Sequence, residues 1–285
     1  MADQIRRIEA RVVSDAVRDL FLSANSVVGE DVLTSLDRAI KTESNPVALG
    51  VLTAIRENDR IACEKGLPIC QDTGMAVLFA EVGQLVHIEG DTLANTVNLG
   101  VKEAYLDGKL RCSVVRDPLF HRENTGDNTP AIIHIRTVPG DRLKLIAAPK
   151  GFGSENMSAL KMFTPSAKPA DIVDFVVGAV KCAGSNPCPP VTVGVGIGSD
   201  FEGCALLAKY ALTRPLTDRN SDPEYAALEE TILARLNALG IGPQGFGGDT
   251  SAFAVKIEVG PTHIAGLPVA VNINCHVARH AQIVI

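Results

Sequence analysis

The hydrophobic period of this chain changes near residue 60, from a purely helical spacing to a mixed one, and that change limits what it can fold into. Before it, apolar side chains recur every three or four positions: Ile5, Ile8, Val12, Ala16 and Leu20, then Val32, Leu33, Leu36 and Ile40. That spacing places them on one face of successive helices. A third helix is expected to start at Asn45-Pro46, with Asn45 as its cap and Pro46 in its first turn, and to run through Val51, Leu52 and Ile55. After it, short apolar runs suit strands: 76–80, 131–135, 143–146, 191–197, 253–259 and 268–274. Pro139-Gly140-Asp141 reads as a turn between two of them. Helical stretches lie between the runs, one capped by Asp91, one over 171–183 stopped by Gly184, and one over 223–239 stopped by Gly240. A helical block followed by mixed strands and helices is an α+β fold, not a strict β-α-β winding. No linker or fixed-period repeat divides the sequence. One domain over 1–285 is therefore expected, with a helical part at 1–62 and a mixed part at 63–285.

Charge and cysteine usage exclude several classes. The net charge is −6 and no long basic run occurs, so nothing points to nucleic acid or to an anionic membrane surface. The opening MADQIRRIEARVV lacks the apolar core of a signal peptide, and no apolar run is long enough to span a bilayer. A cytoplasmic protein is expected. The seven cysteines are odd in number and scattered, which argues against a disulfide framework. No Cys-x-x-Cys pair occurs, so the usual zinc and ferredoxin spacings are absent.

Five segments break the apolar pattern in ways that core packing does not explain. The first, 66–74, bends at Pro68 and presents Cys70, Gln71 and Asp72 in succession. A polar turn with one half-buried cysteine is the competing reading. The second, 111–129, holds Arg111, Arg116, His121 and Arg122, and such arginine-rich loops can clamp carboxylates; a solvated loop explains it equally well. The third, Lys150-Gly151-Phe152-Gly153-Ser154-Glu155-Asn156, resembles neither a Walker A loop nor GxGxxG, yet its glycines would let backbone N–H groups approach an anion. The fourth surrounds Cys188 with Pro187, Pro189 and Pro190, a rigid loop that suits a metal ligand or a plain turn. The fifth, 240–249, is rich in Gly and Pro and leads to His263 and to Cys275-His276. Cys70, Cys188 and Cys275 thus stand in irregular or strand-end settings, where they could hold a metal or cluster. Cys63, Cys112, Cys182 and Cys204 read as small core hydrophobes. Spacing alone does not single out the first three.

Taken together, CQDTG (70–74), LRCSVVRDP (110–118), NTGDNTPAIIH (124–134), KGFGSENMS (150–158), NPCPPVTVGVGIGSDFE (186–202), GIGPQGFGGDTS (240–251) and PTHIAGLPVAVNINCH (261–276) resemble one family closely. It is the α subunit, or N-terminal domain, of class I fumarate hydratases and the related L-tartrate dehydratases. The resemblance runs from about Asn45 to Cys275.

The resemblance implies a [4Fe-4S] cluster held by Cys70, Cys188 and Cys275, with one open iron acting as Lewis acid on a small dicarboxylate. Residues 63–285 become the cluster- and substrate-binding part. Gln71 and Asp72 would contact the substrate, with Asp72 as proton donor to the departing hydroxyl. Arg111 would hold a carboxylate through its two-pronged fork, Gly153 would offer a backbone N–H, and His263 would reach a neighbouring protomer's site. Single-chain relatives carry a second domain. Because this chain ends at Ile285, a separate β subunit is expected to supply the rest, in an α2β2 assembly, with little activity from this chain alone. KGFGSEN favours reversible hydration of fumarate to (S)-malate. The usual loop has Gly where Phe152 stands, which keeps L(+)-tartrate dehydratase and mesaconate hydratase as alternatives. A non-catalytic metal- or redox-sensing protein is the alternative from another class.

Overall fold

A computed structural model describes residues 5–285. Its elements in chain order are β1 (Arg6–Glu9), α1 (Ala10–Ser26), α2 (Glu30–Thr42), α3 (Pro46–Lys65), β2 (Val77–Gly83), β3 (Val86–Glu89), α4 (Leu93–Asp107), β4 (Ile132–Val138), β5 (Leu143–Ala147), α5 (Phe152–Glu155), β6 (Ala159–Phe163), α6 (Pro169–Ala183), β7 (Val191–Gly198), α7 (Phe201–Ala211), α8 (Pro223–Asn237), β8 (Ala252–Gly260), β9 (Leu267–Asn274) and β10 (Ala281–Val284). The fold is α+β, as expected. No helix among the described residues is long and apolar enough to cross a membrane.

The chain forms two compact units, each built from separate stretches. The first comprises residues 5–27, 61–151 and 279–285; the second comprises 28–60 and 152–278. No linker marks the crossings, and the reading of one domain with parts at 1–62 and 63–285 rests on that.

In the first unit a four-stranded sheet runs in the order β10-β5-β2-β4. Val13, Val17 and Phe21 of α1 and Val97, Val101 and Tyr105 of α4 share a core with Leu78 of β2 and Leu143 and Leu145 of β5. A two-stranded parallel sheet joins β1 to β3. Three sequence expectations change here. The helix expected from Ile5 begins at Ala10, because residues 6–9 pair with 86–89 instead. The cap of α4 is Thr92, one residue after Asp91; its side chain accepts the Asn95 N–H at 3.2 Å, while Asp91 holds the Asn95 side chain. The strands on either side of 139–141 do not pair with each other, because β2 lies between them, parallel to β4 and antiparallel to β5.

In the second unit the sheet order is β6-β9-β7-β8. β7 is buried on both faces. Val191, Val193, Val195 and Ile197 enter a core with Ile172, Val176 and Val180 of α6 and Ile232 and Leu236 of α8. The alternate positions face α7. A Cβ at Gly194 would lie 2.1 Å from the Ala208 carbonyl oxygen, and one at Gly196 would lie 2.0 Å from that of Cys204. Gly194 and Gly196 therefore serve helix packing. At the start of α3, Asn45 Oδ1 accepts the Val47 N–H at 2.9 Å, as the sequence indicated. α5, β6 and α7 were not anticipated.

Candidate active site

The first unit holds Cys70, Gln71, Asp72 and Arg111. The 70–74 loop is bound by its own atoms and by distant ones. Cys70 Sγ accepts the Asp72 N–H at 3.4 Å and lies 3.3 Å from Gln71 Oε1. Asp72 Oδ1 accepts the Gly74 N–H at 3.0 Å, closing a short Asx turn. Gly74 has φ 78°, and a Cβ there would lie 2.7 Å from the Lys150 backbone, so no side chain fits. Thr73 Oγ1 accepts the Arg111 N–H at 2.9 Å, and this bond sets Arg111 beside the loop. The Arg111 side chain is exposed and makes no ion pair among the described residues, so its fork stays available for an anion.

Three buried side chains that the sequence did not mark hold this loop. Tyr105 Oη lies 3.0 Å from the Thr73 carbonyl and 2.9 Å from that of Gly74. Asn128 Nδ2 donates to the Gly74 carbonyl at 3.2 Å. Arg279 Nη2 donates to the Asp72 carbonyl at 2.5 Å. Tyr105 looked like one more apolar position on a helix, Asn128 lay in a motif read for other residues, and Arg279 lies beyond the last motif, which ends at His276.

The second unit holds Gly153, Cys188, Cys275 and His263. Cys188 is exposed, with φ 54°. Its N–H donates to Ser185 O at 3.0 Å, and its carbonyl accepts the His276 N–H at 3.1 Å. The Cys188 loop and the end of β9, where Cys275 follows Asn274, are thus tied backbone to backbone. Gln244, from the Gly- and Pro-rich stretch, donates both its N–H (2.8 Å) and its Nε2 (3.0 Å) to the Pro189 carbonyl. That stretch is anchored in turn by Asp249, whose carboxylate accepts from Ser44 N and Oγ, and by Glu43, which accepts the Asp249 and Thr250 N–H groups. Gly153 lies in the first turn of α5, where N–H groups have no intrahelical partner. A Cβ on Gly153 would stand 3.4 Å from Asn186 O, so it borders the Cys188 loop. Glu155 of the same motif pairs with Lys209 and accepts from Asn272 Nδ2, which fixes the turn.

His263 is not brought to the cysteines of its own unit. It sits in the β8–β9 loop beyond Gly260, which pairs with Gly198, whereas Asn274 pairs with Thr192. The two ends of β7 are about 20 Å apart at the usual rise of ~3.3 Å per residue. His263 is exposed, and its Nδ1 accepts the Ala265 N–H at 3.2 Å.

The remaining cysteines partly depart from expectation. Only Cys204 is buried; Cys63 and Cys182 are exposed on their helices and Cys112 is half-buried. Helical periodicity placed them near the core, but the solvent face of each helix claims Cys63 and Cys182. Burial pushes the Cys112 and Cys204 thiols up, away from the thiolate form that metals bind. Among the described residues no group of three His, Cys, Asp or Glu stands close enough to hold a metal ion. None of the cysteines is in a disulfide. The donor chemistry of Cys70, Cys188 and Cys275 still suits iron–sulfur ligation: soft sulfur donors, at least partly exposed, with Cys70 Sγ already accepting a backbone N–H.

The family model described as Fumarate hydratase (Fumerase) matches residues 14–284. A Methanocaldococcus jannaschii protein, provisionally named L(+)-tartrate dehydratase subunit alpha, is 41% identical, covering 94% of this chain and 96% of its own length. The L(+)-tartrate dehydratase subunit alpha of Escherichia coli O157:H7 is 29% identical, covering 100% of this chain and 94% of its own length. That of Escherichia coli strain UTI89 is 30% identical, covering 99% and 94%.

Proposed function

The chain belongs to the fumarate hydratase (Fumerase) family, and from that premise we propose that it is the cluster-bearing α chain of a [4Fe-4S] hydro-lyase acting on a four-carbon hydroxy dicarboxylate, with L(+)-tartrate as its first substrate. Membership makes the chain a hydro-lyase and sets aside the non-catalytic sensor. The substrate order reverses the sequence reading. KGFGSEN pointed to fumarate, but relatives that align over nearly the whole chain carry the tartrate dehydratase name. Fumarate hydration stays as the second reading, supported by the description of the matching family.

Cys70, Cys188 and Cys275 would hold the cluster. The observation that carries the reading is the 3.1 Å bond from His276 N–H to Cys188 O, which keeps two of the three ligand segments in fixed register. When bound, a cluster with one open iron supplies a Lewis acid for the departing hydroxyl. The protein does the rest by position. Dehydration needs a proton on the leaving oxygen, and Asp72 would donate it. Arg111 would hold one carboxylate bidentately. The Gln71 amide and the Gly153 N–H would fix the remaining substrate oxygens. His263, far along the sheet from Cys188 and Cys275, would act on a neighbouring protomer's substrate.

The relatives' subunit names support a separate β subunit; in this reading it supplies the base that takes the C–H proton, in an α2β2 assembly. An oxidant-sensitive cluster suits a reducing compartment, so the reading places the chain in the cytoplasm. The test is steady-state kinetics of the anaerobically reconstituted chain with its candidate β subunit. A kcat/KM for L(+)-tartrate above that for (S)-malate is expected. The reverse order would install fumarate hydratase, and turnover of neither would remove the reading.

A further inference from the structure

We propose that Tyr105, Asn128 and Arg279 are positioning residues that grip the main chain of the 70–74 loop from three sides and so fix where the Cys70 thiol and the Asp72 carboxyl stand. The inference rests on the proposed role of that loop as carrier of a cluster ligand and a proton donor.

All three side chains lie inside the first unit, at 1%, 0% and 5% exposure. They come from α4, from the loop before β4 and from the segment before β10. Between them they engage each carbonyl from Asp72 to Gly74. A loop whose carbonyls are satisfied by buried donors cannot turn a peptide without leaving a donor unpaired, which costs more than the bond itself. Each donor is itself held or constrained. Burial pushes the Tyr105 phenol up, so it stays protonated and able to donate. Asn128 Oδ1 accepts the Ser113 N–H at 2.7 Å, which orients its amide. Arg279 Nε reaches Pro149 O at 3.5 Å, so the guanidinium bridges the 149–151 and 70–74 segments. Its Nη1 has no partner. A buried guanidinium whose donors reach two main-chain carbonyls, those of Asp72 and Pro149, points to a positional role.

The test uses Tyr105→Phe, which keeps the ring and removes the donor, together with Arg279→Gln and Arg279→Lys. Iodoacetamide alkylation of each cysteine is followed by mass spectrometry on the apo chain, with exposed Cys63 and Cys182 as internal controls. Loss of one buried bond should speed Cys70 alkylation by about tenfold with the controls unchanged. Arg279→Gln should do the same, and Arg279→Lys should restore most of the protection. After anaerobic loading, the electron paramagnetic resonance signal of the reduced variants should change on adding L(+)-tartrate in a way that differs from the parent. An unchanged Cys70 rate would overturn the proposal. So would equal acceleration at all thiols, the mark of general destabilisation. Failure of the parent chain to bind iron would instead remove the cluster reading, while the alkylation pattern still decides the grip on the loop.

Discussion

The N–H of His276 donates to the carbonyl of Cys188 at 3.1 Å, so a proline-bounded loop and a strand end are tied backbone to backbone by residues 88 apart in sequence. The same loop is held on its other side by Gln244, through two donors on the Pro189 carbonyl. The glycine-rich stretch around Gln244 thus braces the loop of a proposed ligand.

Gln244→Ala removes one of those donors and keeps the backbone one. The expected cost is about 1 kcal/mol of stability. Faster alkylation of Cys188 than of Cys182 should accompany it, read by mass spectrometry. No change at Cys188 would mean the brace does not restrain the loop.

Gly196 and Gly178 make a contrasting pair. A Cβ at Gly196 meets the Cys204 carbonyl at 2.0 Å, whereas one at Gly178, in the middle of α6, meets nothing within 4 Å. Gly196→Ala should therefore cost about 3 kcal/mol or more by overpacking. Gly178→Ala should gain about 0.5–1 kcal/mol from helix propensity. Thermal melts of both variants check the signs.

That pair also shows what the sequence could reveal. The run 191–197 read correctly as a strand, because its valines and isoleucine alternate. What its glycines do was hidden, since α7 reaches them only in three dimensions. Asn45 announced itself as a cap because capping is local, and the shift from Asp91 to Thr92 is a one-residue choice between two good caps. The 143–146 strand was visible, but not its partner, because β2 inserts between strands that adjoin in sequence. The family motifs pointed to Cys70, Asp72 and Arg111, and the structure joins the 70–74 loop to Arg111 through Thr73. Tyr105, Asn128 and Arg279 were not legible, because they act on main-chain carbonyls, which carry no side-chain signature.

Asp59 supplies a pH prediction. Its carboxyl is buried on α3 with Oδ1 unpartnered, and burial pushes its pKa up to about 6 against the opposing pull of Arg56 and a bond from Asn58. A carboxyl with a raised folded-state value favours the folded chain when protonated. This contribution is fully present below about pH 4 and is lost as pH rises through 6. Asp59→Asn should then raise stability by about 2 kcal/mol at pH 7.5 and by little at pH 4. Melting temperatures of parent and variant at the two pH values give the answer. Equal shifts at both would contradict it.

The central claim is that three particular cysteines out of seven hold an iron–sulfur cluster. The direct measurement is iron and acid-labile sulfide per chain after anaerobic reconstitution, for the parent and for each single Cys→Ser variant. The account expects iron near four per parent chain. It expects substantial loss for Cys70→Ser, Cys188→Ser and Cys275→Ser, and full loading for Cys63→Ser and Cys182→Ser, whose thiols are also exposed. Full loading with any of the first three replaced, or zinc in place of iron and sulfide, would contradict it.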